Sequence, residues 1–172
     1  GQLITNTVLT SSQTVWIYDH TSTTPDCEDE VSFQVNIITS PVIDNPGTQA
    51  GCDQFDLATI TITGTDLVDP QFYDNSQALG GQLITNTVLT SSQTVWIYDH
   101  TSTTPDCEDE VSFEVIITPS PVIDNPGTQA GCDQFDLATI TITGSDLVNP
   151  QFYDNSQVLG GQLITNTVLT SS

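Results

Sequence analysis

The sequence predicts an all-β protein built of tandem immunoglobulin-like β-sandwich repeats of 80 residues. Three observations carry that expectation. First, the text repeats: positions 1–80 return as 81–160, changed only at 34, 36, 38, 39, 65, 69 and 78, and a third copy opens at Gly161. Second, apolar residues recur with a period of two in short runs rich in Val, Ile, Thr and aromatics. Third, turn residues divide those runs at intervals that suit a sandwich, and no run carries a helical stripe. A period of 80 exceeds the roughly 20–50 residues of most solenoid units and suits a small domain with its own core.

Within one repeat the expected strands are Phe55–Thr63, Gln71–Tyr73, Gln82–Ile84, Thr87–Thr90, Thr94–Tyr98 and Val111–Thr118. Breaks are expected at Asn45-Pro46-Gly47, Asp69-Pro70, Gly80-Gly81, Ser91-Ser92 and Thr104-Pro105. The domain boundary falls best at Ser40-Pro41 and again at Ser120-Pro121, after the strongest strand and before a Pro- and Gly-containing stretch. That phasing makes 41–120 a complete repeat, 1–40 the second half of a preceding one, and 121–172 the first part of a following one. The chain is expected to be a window on a longer array.

Composition narrows the function. There is no Lys or Arg, against about 20 in an ordinary chain of this size, and the 22 acidic residues give a net charge of −22. Nucleic-acid binding needs cations to neutralise phosphate and is excluded, as is an anionic membrane surface. Cations, chiefly Ca²⁺, and basic surfaces remain as charge partners. No apolar stretch approaches the 18 residues of a membrane span, so no membrane insertion is expected. An acidic surface also keeps successive copies apart.

Each copy supplies two cysteines, giving Cys27, Cys52, Cys107 and Cys132, with no CxxC pair. That regularity points to disulfides and an oxidising compartment. In an immunoglobulin-like sandwich, the first strand starts at the pole to which the loop before the last strand returns. Cys52 lies near the start of repeat 41–120 and Cys107 just before its last strand, so these two are expected to pair. Cys27 and Cys132 would pair outside the window. The alternative joins Cys27 to Cys52 and Cys107 to Cys132 as interdomain staples, across a span of about 27 Å, against the roughly 7 Å between Cα atoms that a disulfide allows.

The order of motifs is PVID, CDQFDL, FYD, a Gly-Gly turn, SQTVWIY, TSTTPDCEDE and a closing SF-x-V-x-I. It resembles the repeat of giant cell-surface adhesins of gliding, Flavobacterium-type bacteria, over the whole 80-residue unit. That resemblance implies an immunoglobulin-like fold, export to the bacterial cell surface and a role as stalk or adhesin in gliding motility.

Four carboxylates crowd into five residues at Asp26, Glu28, Asp29 and Glu30, and again at Asp106, Glu108, Asp109 and Glu110. Such density suits Ca²⁺, which takes six to eight oxygens, with Asp44 and Asn45 as further donors. A solvated acidic loop explains it equally. A second set, Asp66, Asp69 and Asp74, has Asn149 replacing the middle residue in its copy. The strand TVWIY is bulky on both sides, so Trp96 and Tyr98, like Trp16 and Tyr18, either help cover the sandwich or face outward as sugar-binding or chain-packing contacts. His20 and His100 stand beside Asp19 and Asp99 without a second ligand at metal spacing and read as loop residues. No nucleophile elbow, phosphate-binding glycine loop or N-glycosylation sequon occurs, and no enzyme activity is expected.

The expected function is a structural stalk or filament segment of an extracellular adhesin, its partners being neighbouring repeats of the same chain. The alternatives are a multivalent module binding surface polysaccharide through repeated aromatics, and a strand-exchanged or laterally packed fibre of identical chains.

Overall fold

The computed structural model describes residues 3–5 and 8–170. The outermost residues of the partial copies expected at 1–40 and 121–172 lie outside the described residues. The fold is all-β. Its strands are β1 (Gln13–His20), β2 (Glu28–Val35), β3 (Val42–Ile43), β4 (Gln49–Cys52), β5 (Phe55–Asp56), β6 (Gly64–Thr65) and β7 (Gln71–Tyr73). They continue as β8 (Val88–Leu89), β9 (Gln93–His100), β10 (Glu108–Thr118), β11 (Val122–Ile123), β12 (Gln134–Asp136), β13 (Gly144–Ser145) and β14 (Val168–Thr170). Short 3₁₀ turns are the only helical elements among the described residues.

The chain groups into two compact units. The first comprises Gly1–Gln49, Asp56–Leu89 and Gln93–Val115; the second comprises Ala50–Phe55, Thr90–Ser92 and Ile116–Ser172.

The first unit is organised by the β9–β10 hairpin. Val95 faces Phe113, Ile97 faces Val111, and β7 adds to the other edge of β9 with Phe72 opposite Ile97. Because side chains alternate along a strand, Val95, Ile97 and Asp99 are buried while Trp96, Tyr98 and His100 stay partly exposed. The core comprises Ile43, Leu57, Leu89, Val95, Ile97, Phe113 and Val115. Phe72 meets Phe113 edge-on, with ring centroids 6.3 Å apart. Two short ladders, β3–β6 and β5–β8, supply Ile43 and Leu89 beside the β10-β9-β7 strands.

The β1–β2 hairpin copies this register residue for residue, from Gln13 opposite Val35 to His20 opposite Glu28. Its burial differs. Ile17 is 58% exposed where Ile97 is 0%, and Phe33 is 46% exposed where Phe113 is 4%. The cause is pairing: β1 and β2 share a sheet only with each other. A hairpin alone cannot cover its apolar face.

In the second unit, Asp53 N–H donates to Thr118 O at 3.0 Å, and the Asp53 carboxylate accepts from Ser120 N at 2.7 Å. The unit also contains the β11–β13 and β12–β14 ladders, which lie 80 residues after β3–β6 and β5–β8 and repeat their pairing.

Three expected strands are altered, Thr87–Thr90 being reduced to Val88–Leu89. The run Phe55–Thr63 is strand only at Phe55–Asp56, because the Asp56 carboxylate accepts from Ala58 N at 3.0 Å and caps a 3₁₀ turn over Leu57–Thr59. The segment 82–84 contributes a single bridge, Leu83 opposite Tyr73, instead of a strand.

Candidate functional site

The densest polar feature is the end of the β9–β10 hairpin. Its loop is closed by backbone bonding of Thr101 N to Cys107 O at 2.9 Å. Asp106 sits inside the loop. Its carboxylate bonds His100 Nδ1 at 2.9 Å, Ser102 N at 3.0 Å and the Thr101 hydroxyl at 3.2 Å. The His100 hydrogen bond holds the Asp106 carboxyl below its ordinary range, and the same bond raises His100 above its ordinary value.

The neighbouring carboxylates disperse. The Tyr98 hydroxyl donates to Glu108 at 2.7 Å. Burial, then that bond, pushes the Tyr98 phenol up to about 12. Asp109 turns to the other side of the strand and accepts from Ile43 N at 2.8 Å. Glu110 accepts from the Ser76 hydroxyl at 2.6 Å and from Gln77 N at 3.0 Å. The expected cluster of Asp106, Glu108, Asp109 and Glu110 is therefore spread over four sets of partners. Glu108–Glu110 begin a strand, and strand alternation sends neighbours to opposite faces. In the first copy, Asp26 bonds His20, Thr21 and Ser22, and Glu28 accepts from Tyr18 at 2.9 Å; Asp29 and Glu30 lie opposite Asp19 and Tyr18 along β2. Among the described residues no group of three or more His, Cys, Asp or Glu side chains gathers as a metal site. Asp44 accepts from Thr63, and Asn45 bonds Ser112 O and Gly47 N. In the second acidic set, Asp69 accepts from Gln71 and Asp74 accepts from Gln82 N.

Sequence reasoning missed Asp99. It is fully buried, and its carboxylate accepts from Val68 N at 2.7 Å, Asp69 N at 2.9 Å and His100 N at 2.9 Å. It stands opposite Asp109 in the register, so two inward carboxylates share one rung. With no Lys or Arg in the chain, backbone amides take the place of a counter-charge. The signal was present as an acidic residue in phase with Val95 and Ile97.

Trp96 and Tyr98 take the outward face of β9, and Tyr73 meets Tyr98 edge-on at 5.9 Å. Tyr98 also stacks on His100, with centroids 5.5 Å apart. Trp16 and Tyr18 are exposed.

All four cysteines are thiols, and the expected Cys52–Cys107 bond is not formed. Within the first unit Ile43 N bonds Asp109 and Asn45 bonds Ser112 O, and within the second Asp53 N bonds Thr118 O. The alternative pairs, Cys27 with Cys52 and Cys107 with Cys132, are also unformed.

No protein-family description matches the chain. No curated protein matches it. Among solved structures, one described as a protocadherin gammaB7 EC3-6 cis-dimer matches over 95% of this chain, at 12% identity and a TM-score of 0.33. The chain spans about half, 51%, of that protein's chain. At that identity and score the likeness carries no argument about function. No helix among the described residues is long and apolar enough to cross a membrane.

Proposed function

We propose that this chain is a stalk segment of an extracellular, repetitive surface adhesin, acting by spacing and stiffening. One observation carries the reading: the two hairpins repeat not only strand register but also the polar contacts at their ends. Tyr18–Glu28 is repeated by Tyr98–Glu108, and His20–Asp26 by His100–Asp106. A feature built identically in each copy acts by number, through length or multivalency. The motif order supports placement with the adhesin repeats of gliding bacteria, and the unopposed acidic charge keeps copies from collapsing on one another.

The test is a series of arrays of increasing copy number, imaged by electron microscopy, with antibody labelling of intact source cells. Each added copy should lengthen the particle by about 30 Å, the span of an 8–10-residue strand. Particles that stay compact as copies are added, or antigen found only inside cells, would sink the proposal.

The outward placement of Trp96 and Tyr98 favours a second reading, a multivalent module for polysaccharide. Glycan-array binding lost on Trp96→Ala but retained on Phe33→Ala would move that reading ahead.

A further inference from the structure

Three facts about the cysteines go together. Cys107 Sγ lies 3.8 Å from Ile38 O and is half-buried. Its counterpart Cys27 is exposed, with its Sγ 4.0 Å from Pro25 O instead. Ile38 and Thr118 occupy the same position of the 80-residue repeat, and Thr118 O is the carbonyl that accepts from Asp53 N, one peptide bond from Cys52. The carbonyl at this position therefore meets the Cys107-type thiol in one copy and the backbone beside the Cys52-type thiol in another. A carbonyl has two lone pairs and can hold both contacts at once.

From this convergence we infer that the array is cross-linked between consecutive repeats. The Cys52-type sulfur of each repeat bonds the Cys107-type sulfur of the repeat that follows. Carrying the Cys107–Ile38 geometry forward by one repeat sets the next repeat's thiol against Thr118 O, beside Cys52. Cys107 itself is addressed to the Cys52-type residue one repeat earlier. None of Cys27, Cys52, Cys107 and Cys132 has such a partner within these 172 residues, in keeping with four thiols here. Each bond would clamp the end of one sandwich's last strand to the loop preceding the next sandwich's last strand. Tension along the array would then pass from fold to fold through a covalent link.

The chemistry is a two-electron oxidation. Two thiols lose two protons and two electrons to form one S–S bond. The electrons go to the disulfide of a thiol–disulfide oxidoreductase, which leaves as a dithiol after passing through a mixed disulfide. The inference rests on the extracellular reading for its oxidising compartment, but the geometry is testable apart from it.

The experiment uses the chain extended by a second run of its own residues 93–172, which continues the repeat in register and adds two cysteines. Both chains are refolded in a glutathione redox buffer, dilute enough to suppress pairing between molecules. They are then digested without reduction by an Asp- and Glu-directed protease, since trypsin has no site. The extended chain should lose one pair of thiols and yield a peptide joining Cys52 to the appended counterpart of Cys107. The 172-residue chain should keep all four thiols. Cys52→Ser, an exposed position, should abolish the cross-link while circular dichroism stays unchanged. Recovery of Cys52–Cys107, Cys27–Cys52 or Cys107–Cys132 peptides, or full thiol titre in the folded extended chain, would overturn the inference. A correct cross-link in vitro together with antigen confined to the cell interior would instead count against the extracellular reading alone.

Discussion

Replacing Asp99 by Ala tests the idea that backbone amides stand in for the missing basic residues. The substitution strips three acceptor bonds, from Val68 N, Asp69 N and His100 N, at a fully buried position. Hydrogen bonds to a charged acceptor contribute about 1.5–3 kcal/mol each, and partly buried amides left without partners add to the cost. Removing one of two carboxylates that face each other across the rung returns up to about 1 kcal/mol. The net loss should be at least about 3.5 kcal/mol, and Asp99→Asn, which keeps one acceptor oxygen, should lose about 1–2 kcal/mol. Asp19→Ala provides an internal control. Asp19 occupies the equivalent position of the β1–β2 hairpin, accepts from His20 N at 2.9 Å, and is exposed. Its loss should stay within about 0.5 kcal/mol. The assay is urea unfolding followed by Trp96 fluorescence in a Trp16→Phe background. Equal effects of the two alanine variants, or a loss below about 1 kcal/mol at Asp99, would refute the reasoning.

Other expectations follow from the same contacts. Phe113→Ala should cost about 3–5 kcal/mol by the same unfolding assay, while Phe33→Ala, in the exposed copy, should cost less than about 1 kcal/mol; similar losses would mean that β1–β2 is covered in solution. Because His100 is raised, its share of loop stability is complete below its unfolded value of 6.5 and is lost as pH rises through the folded value. Because Asp106 is lowered, its share is complete above its unfolded value of 3.8 and is lost as pH falls through the folded value. Amide exchange at Ser102, measured against pH by NMR and corrected for intrinsic rates, should therefore be slowest between those limits, and Asp106→Asn should flatten the profile. Absorbance at 295 nm should show the Tyr98 phenolate forming only near pH 12; a midpoint at 10 for that residue, identified by Tyr98→Phe, would contradict its placement. Millimolar calcium should shift the thermal midpoint by less than about 1 °C, since no three acidic side chains gather as a metal site among the described residues.

Much of the fold was legible because strand periodicity is local. Gln71–Tyr73 forms as expected, and the expected Thr94–Tyr98 and Val111–Thr118 lie within longer strands that begin at Gln93 and Glu108. Phe55–Thr63 misled because alternation in FDLATITIT hides a side-chain cap: Asp56 competes for the backbone and turns it. The acidic run looked like one loop because charge density is read along the chain. Structure divides it by face, with Asp109 inward and Glu108 toward Tyr98.

The shared register of the two hairpins has a consequence for how such a protein reaches its fold. Strand β9 would find in β2 nearly the same partner that it finds in β10, since positions 28–35 and 108–115 differ only at Gln34 and Glu114. The energies of correct and exchanged pairing are therefore almost degenerate, and contact energy alone does not select between them. Selection falls to chain closure. The short connection from His100 to Glu108 brings the right strand back long before a remote copy can arrive by diffusion. The tight loop organised by Asp106 thus acts as a proofreader of assembly: it makes the local pairing fast in a chain where the wrong pairing would be nearly as stable.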